Sequence, residues 1–510
     1  MSRRHRGPIA GIVVAALVAA GCTLPAVVPR TEADGATTGS VAWRPCPEVP
    51  KELVGRGARD MRYDCASIPV PKDWDATGAD TFEIALIRIR STEQRDRIGS
   101  LLINPGGPGG SGIDTAVYLS FGEAFGGLPE AVTNRFDIVG FDPRGVARSS
   151  PVKCISDDDL DAMFGFEPDP VDRDEFDELV TLNRKIAEGC AAKYGDELRL
   201  YSTRQAARDM DAIRAAVGDE KLTYLGYSYG TLLGATYARL FPGNVRALVL
   251  DGAVDPRQDT VAGSQSQARG FERAFTNFTD WCRQNAADCP IAPDARAAVT
   301  DAMAKARVSP VQGADGRKAT PGWILYAVVS SLYTETGWTQ LAEAIDDLAA
   351  GDAAGMFALA DAYTDRDETG RYSNLFDANL AVNCADSERR PSLAEIRRLQ
   401  EQWRQRYPMF GAPLATGLVT CAVWPAPSDP YPIGAADGAP PILVVGTTGD
   451  PATPYENTQK LADLLGVGRV LTWEGEGHTA YPQTRCVTDA VNDYLIDLRL
   501  PRDGLRCPPR

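Results

Sequence analysis

Lys221-Leu222-Thr223-Tyr224-Leu225-Gly226-Tyr227-Ser228-Tyr229-Gly230 joins a short apolar run to a stretch of small residues that continues to Phe241. Lys221 to Leu225 reads as a buried strand and Tyr229 to Phe241 as a helix, which places Ser228 on the turn between them. Gly226 and Gly230, two residues to either side, leave room for a strained turn that side chains would obstruct. The pentapeptide Gly226 to Gly230 fits G-x-S-x-G, a pattern in which the serine is lifted from the end of a parallel strand as a nucleophile. Five residues alone are weak evidence. A strand entering and a helix leaving make them strong.

The flanking sequence supplies the rest of such a sheet. Phe82 to Arg90 alternates as a strand does, and Leu101-Leu102-Ile103 runs into Asn104-Pro105-Gly106-Gly107-Pro108-Gly109-Gly110. Phe136 to Gly140 is a further apolar strand, ending in Phe141-Asp142-Pro143-Arg144-Gly145. A helix over about Arg204 to Val217, with Thr203 as its N-cap, precedes the strand at Lys221. Val245 to Leu250 follows as a strand and ends at Asp251-Gly252. Short apolar strands alternating with helices indicate a mostly parallel α/β sheet. From about Asp255 to Pro430 helical patterns dominate, with Trp281, Trp323, Trp338, Trp403 and Trp424 among them. Strand signals return at Pro441 to Gly446 and at Arg469 to Leu471, before a final helix from about Cys486 to Leu498. A helical insertion between strands of one sheet is the simplest organisation, since a separate second domain would leave the last two strands without partners. The core then occupies residues 41–254 and 431–510, with the insertion at 255–430.

A serine hydroxyl needs a base. Only His5 and His478 occur, and His5 belongs to the leader, so a Ser-His mechanism has one possible base. His478 lies in Gly475-Glu476-Gly477-His478, a glycine-rich turn after the strand at Val470. The acid that orients it should follow a strand after the insertion, as Asp450 does in Gly446-Thr447-Thr448-Gly449-Asp450-Pro451. The rival Asp429 sits in a proline-rich loop with no strand before it, and Asp493 and Asp497 fall on a solvated helix face. The resulting order Ser…Asp…His is one of the known triad orders. The oxyanion needs two N–H donors. Tyr229, at a helix start, is one, and Gly106 or Gly107 is the other. A phosphate cradle is the competing reading of the glycine loop, and it fails because G-K-[ST] is missing.

The 510 residues carry a net charge of -16, which disfavours nucleic acid as a partner. No apolar run reaches the roughly 18 residues of a membrane-spanning helix. Arg3, Arg4 and Arg6 followed by the apolar segment Ile9 to Ala20 form a leader over residues 1–22. It ends in Ala19-Ala20-Gly21-Cys22, which resembles the lipobox of bacterial lipoproteins, although Ala19 stands where leucine is usual. Cys22 is therefore expected to carry lipid and anchor the chain to the outer face of the cytoplasmic membrane, with an ordinary signal peptide as the alternative. Residues 23–40 read as a flexible tether. Of eleven cysteines, ten remain beyond Cys22, an even number that implies disulfides in an exported chain. Neighbour-to-neighbour pairing is expected: Cys46–Cys65, Cys154–Cys190, Cys282–Cys289, Cys384–Cys421 and Cys486–Cys507. Metal binding is disfavoured because there is no CxxC and no spare histidine, and the proposed chemistry calls for no cofactor.

These motifs together resemble a known family. Pro105-Gly106-Gly107-Pro108-Gly109 is similar to the HGGPG loop of prolyl iminopeptidases, with Pro105 in place of histidine. Asp142-Pro143-Arg144-Gly145-Val146-Ala147-Arg148-Ser149 is similar to their D-x-R-G-x-G-x-S segment, with Ala147 for the second glycine. With the leader, the cysteines and Gly449-Asp450-Pro451-Ala452-Thr453-Pro454, the chain resembles the secreted tripeptidyl aminopeptidases of actinobacteria, a group that includes mycobacterial envelope proteases and carboxylesterases. The resemblance implies an α/β-hydrolase fold with the helical insertion as a cap over the site, and cleavage near a free amino terminus. An envelope carboxylesterase or lipase with the same triad is the alternative, and a binding protein that keeps only the fold is disfavoured by the intact Ser228, Asp450 and His478. An aminopeptidase needs a carboxylate in the cap to meet the substrate's ammonium, and Glu272, Glu335 and Asp386 are the candidates.

Overall fold

Hydrophobic runs of about six residues flanked by glycine become fully buried strands. In the computed structural model, which describes residues 41–47, 60–76 and 78–510, β4 (Gly99–Asn104), β5 (Phe136–Phe141) and β6 (Leu222–Tyr227) are buried throughout. The leader, Cys22 and the tether lie outside the described residues. The remaining strands are β1 (Arg44–Pro45), β2 (Met61–Pro71), β3 (Thr81–Ser91), β7 (Val245–Asp251), β8 (Ile442–Gly449), β9 (Gly468–Glu476) and β10 (Leu505–Cys507). They form one ten-stranded sheet in the order β1-β2-β3-β5-β4-β6-β7-β8-β9-β10. The edge through β3–β5 is antiparallel, and every pair from β5–β4 to β9–β10 is parallel. Apolar clusters cover both faces, as a parallel sheet requires. This is the α/β-hydrolase architecture. Consecutive parallel strands put the loops after β4, β6, β7, β8 and β9 along one edge, where such sheets bind ligands.

Three strands have no counterpart in the sequence reading: the two-residue β1, β2 and β10. β2 contains Pro69 and Pro71, which argue against a strand, yet it pairs with β3 along eleven positions. β10 has three residues and is pinned by the Cys486–Cys507 disulfide. The helix after the β5 loops also starts differently. Its N-cap is Ser202, whose Oγ accepts from Gln205 N–H, and Thr203 is the first helical residue. Thr203 therefore has its hydroxyl free for another use.

Helices from Thr260 to Ala422 lie between β7 and β8 in the chain. Two helices assigned to the core by sequence, Asp157–Phe164 and Arg173–Tyr194, pack with this layer. Phe164 meets Trp323, Tyr326 and Phe376 with ring centroids 6.0, 5.0 and 4.6 Å apart, while Phe176 and Val180 join Ile396 and Trp403. The disulfides are Cys46–Cys65, Cys154–Cys190, Cys282–Cys289, Cys384–Cys421 and Cys486–Cys507. Arg144 is fully buried and pairs with both oxygens of Asp209 at 2.7 and 2.6 Å, while also donating to the carbonyls of Pro71, Lys72 and Leu200. That clamp fixes the Thr203–Ala216 helix against the antiparallel edge. Removing either charge would leave its partner buried and unpaired, at a cost of about 3–5 kcal/mol.

Candidate active site

β6 delivers Ser228 with φ 55° and ψ -124°, a strained conformation held from both sides. The Ser228 N–H donates to the Asp251 carbonyl at 2.8 Å, and its own carbonyl accepts from Thr231 N–H and Oγ1 at 2.8 and 2.7 Å. The helix Tyr229–Leu240 begins at once, so the Tyr229 N–H has no intrahelical partner. The glycine loop after β4 packs on this turn. Gly106, at φ +96°, lies where an added Cβ would stand 2.9 Å from both Ser228 Cβ and Tyr229 N. Its N–H is turned back to Asn104 Oδ1 at 3.0 Å, so Gly106 does not present a free donor. The Gly107 N–H has no partner among the described residues. Of the two expected glycines, only Gly107 remains available.

Asp450 follows β8, is wholly buried, and is locked by N–H groups of its own turn. Oδ1 accepts from Ala452 and Thr453 at 3.0 and 2.8 Å, and Oδ2 accepts from Thr453 Oγ1 at 3.0 Å and Thr479 N–H at 3.3 Å. His478 Nδ1 faces both carboxylate oxygens at 2.9 and 3.0 Å. This sets the tautomer: Nδ1 carries the proton, and Nε2 is left with its lone pair. Burial lowers the imidazole pKa, but the charge and hydrogen bond of Asp450, with a smaller pull from Asp251, outweigh it and raise the pKa above the usual histidine value. The helical layer holds the same loop. Tyr333 accepts the His478 N–H at 2.8 Å and sets its ring edge-on to the imidazole, 5.0 Å between centroids.

Asp251, at the end of β7, is a part of the site that sequence reasoning passed over. Its carbonyl takes the Ser228 N–H, while its carboxyl accepts Ala480 N–H at 3.0 Å and Tyr481 N–H at 2.7 Å. One residue thus ties the serine turn to the histidine loop. The imidazole lies over the next residue, Gly252, where an added Cβ would approach His478 Cε1 to 3.3 Å. Burial, reinforced by Asp450 and opposed by the two N–H bonds and His478, pushes the Asp251 carboxyl up to about 7. An aspartate at the carboxyl end of a parallel strand was the signal available.

The three cap carboxylates separate by environment. Glu272 is bound by Arg296 and the Met409 N–H, each at 2.9 Å, and is a structural link. Glu335 is exposed and lines, with Tyr333, Glu476 and Arg510, a groove that also reaches His478. Glu272 is committed to those partners, whereas the Glu335 carboxylate stays open to solvent. Asp386 differs. It ends the helix Leu375–Asp386 and accepts Thr203 N–H at 2.9 Å and Thr203 Oγ1 at 2.5 Å, while Thr203 Oγ1 also bonds Tyr229 OH at 2.6 Å. Burial raises its pKa to about 7, and the residue is only partly covered from solvent. Near its start, the same helix meets the glycine loop, where Asn379 donates to the Pro108 carbonyl at 2.9 Å. Asp429 is paired with Arg204 and hydrogen-bonded by Ser202, remote from His478 in hydrogen bonding, and Asp493 and Asp497 pair with Arg499 at the surface.

The chain matches the family described as TAP-like protein over residues 407–507. It is 38% identical to serine protease Hip1 of Mycobacterium tuberculosis, over 98% of this chain and 96% of that protein. It is 35% identical to carboxylesterase B of the same species over 98% and 96%. Tripeptidyl aminopeptidase of Streptomyces lividans is 32% identical over 87% of this chain and 83% of its own length. These likenesses extend across both the sheet and the helical layer around Ser228, and the chain belongs to the TAP-like family of serine α/β hydrolases.

Proposed function

We propose that the protein is an exported serine peptidase that releases tripeptides from free amino termini, with Ser228 as nucleophile, His478 as base and Asp450 as the orienting acid. His478 Nε2 takes the Ser228 proton as Oγ attacks the scissile carbonyl, and Asp450 stabilises the imidazolium. The N–H groups of Tyr229 and Gly107 receive the oxyanion. The imidazolium then protonates the leaving amine, and water, activated by the same base, hydrolyses the acyl-enzyme.

The observation that carries the peptidase reading is the helix Leu375–Asp386. Asn379 touches the glycine loop and Asp386 lies seven residues on, a rise of about 10.5 Å. Three extended residues span about 10 Å, so an ammonium at Asp386 sets the third peptide bond near Ser228. An ammonium enclosed there needs a carboxylate partner, and Asp386 is the one whose hydrogen bonds leave it open. The named activities of the Streptomyces and Hip1 relatives support the same reading. The test compares free and amino-acetylated peptide anilides of two, three and four residues with a small acyl ester. Free tripeptide anilides should be cleaved about 100-fold faster than acetylated ones, the scale of one charge-assisted contact. Equal rates with faster ester turnover would overturn the peptidase in favour of a carboxylesterase, the reading that carboxylesterase B supports.

Export fits five disulfides, which persist in oxidising compartments. Arg3, Arg4 and Arg6, the apolar segment and Gly21-Cys22 support lipidation of Cys22. Cys22→Ala should move the enzyme from the membrane fraction to the medium. An unmodified mature terminus downstream of Cys22 would show simple secretion.

A further inference from the structure

We infer that Thr203 is a positioning residue that couples the substrate-amine carboxylate Asp386 to Tyr229, and so holds the amine subsite in register with the serine turn. The inference rests on Asp386 as the amine partner. Three contacts meet at Thr203: its N–H and its Oγ1 reach the two oxygens of Asp386 at 2.9 and 2.5 Å, and Oγ1 reaches Tyr229 OH at 2.6 Å.

The threonine hydroxyl has one proton. When Asp386 is a carboxylate that proton is committed to Asp386, so Tyr229 O–H must donate to Thr203 Oγ1. The hydrogen bonds then run one way, from Tyr229 to Thr203 to Asp386. Each Asp386 oxygen spends one lone pair on Thr203 and keeps another for a ligand. The carboxylate is thereby oriented before substrate arrives. The far end of the chain is the aromatic side chain of the residue that follows Ser228 and is expected to supply an oxyanion N–H. Tyr229 is buried and rigid, with two side-chain torsions, so it acts as a strut between the turn and the carboxylate. Thr203 itself is fully buried at the start of a helix anchored by the Arg144–Asp209 clamp, so the strut stands on the core and not on the cap alone. Of the other polar groups near Asp386, Asp429 is held by Arg204 and Ser202 and adds a like charge that raises the Asp386 pKa further, and Tyr431 feels the charge of Asp386 in turn.

Thr203→Val removes the hydroxyl and keeps the shape and the backbone N–H. It should lower kcat/KM on a free tripeptide anilide about tenfold, mainly through KM, and lower the free-to-acetylated ratio by the same factor, as loss of a hydrogen bond to a charged group does. It should also flatten the preference for tripeptide over dipeptide and tetrapeptide anilides, and Thr203→Ser should restore both ratios. A Thr203→Val enzyme equally impaired on free, acetylated and ester substrates would show a merely structural residue and overturn the inference. An unchanged ratio in Thr203→Val, where Asp386→Asn collapses it, would overturn the coupling and leave Asp386 as the amine partner. An unchanged ratio in Asp386→Asn would overturn both. Should Thr203→Val not fold, Tyr229→Phe deletes only the far donor and is read by the same length preference, whose persistence at full strength would overturn the strut.

Discussion

In the proposed site, the sheet edge and the cap helix Leu375–Asp386 are built by different means. At the sheet edge, functional residues are held mainly by backbone groups of their own turns and of the neighbouring strand-end loops. Asp450 is locked by Ala452 and Thr453, and Ser228 by Thr231. At the cap, Asp386 is held by a residue 183 positions away, Thr203, through a side-chain hydroxyl. Backbone-locked geometry survives most substitutions around it. A carboxylate held by the N–H and hydroxyl of one distant residue is easily retuned, which suits a surface that sets specificity. Chemistry and specificity should therefore fail separately when each region is damaged.

Damage at the sheet edge should be the larger. Ser228→Ala and His478→Ala should each reduce turnover at least about 10⁴-fold on peptides and esters alike, because triad members act as a unit. Near-native turnover in Ser228→Ala, with loss of labelling by a serine-reactive phosphonate, would remove the nucleophile assignment. Asp251→Asn comes next. An amide whose oxygen keeps both N–H groups would still set its NH₂ against the Ala480 N–H, 3.0 Å from the oxygen it replaces, and shift the histidine loop relative to Ser228. A displacement of about 1 Å costs about 100-fold. The loss should fall on kcat, equally for free peptide and ester. A loss confined to KM for free peptides would place Asp251 with the specificity apparatus instead.

That division also decides what could be read from sequence. Ser228, Asp450 and His478 each sit in a glycine-rich turn after an apolar strand, so a few adjacent residues reveal both place and role. Asp251 had the same position, but no motif marks an acceptor for backbone N–H groups. Asp386 was indistinguishable from Glu272 and Glu335, because what separates them is the partner: Arg296 for Glu272, solvent for Glu335, Thr203 for Asp386. Thr203 resembled a helix cap until Ser202 proved to hold that place. The ten strands followed the same rule. The buried parallel ones declared themselves by continuous apolar runs, and β2 was hidden by Pro69 and Pro71.

The disulfide Cys384–Cys421 lets the cap be loosened without touching Asp386. It ties the Asp386 helix, two residues from its end, to the helix Val419–Ala422. Closing a loop over a separation of 37 residues is worth about 4 kcal/mol by chain entropy. The double variant Cys384→Ala/Cys421→Ala should melt earlier, and it should raise KM for free tripeptide anilides more than for the small ester. A melting change with both KM values unmoved would mean that Thr203 alone holds the carboxylate.

The subtlest separation is by pH. On the ester, the acid limb of kcat/KM reports the free enzyme's base, His478, whose pKa burial lowers but Asp450 raises to a net value above 6.5. Activity should therefore fall as pH drops through that value, since protonated His478 cannot accept the Ser228 proton. On the free tripeptide a second group enters. Asp386, raised by burial to about 7, binds an ammonium only as the carboxylate, so protonation below about 7 removes the contact. Above about 8 the substrate's own amine loses its charge. The free peptide should show a bell between those limits, while the ester should plateau at its upper end. Between pH 7 and 6 the peptide should lose about fivefold more than the ester, the fall in the ionised fraction of a group that titrates near 7. Asp386→Asn should lower the peptide rate and make its acid limb superimpose on that of the ester. Identical acid limbs in the unaltered enzyme would mean that the amine meets no titrating carboxylate, and the separation between chemistry at the sheet edge and recognition at the cap would have to be redrawn.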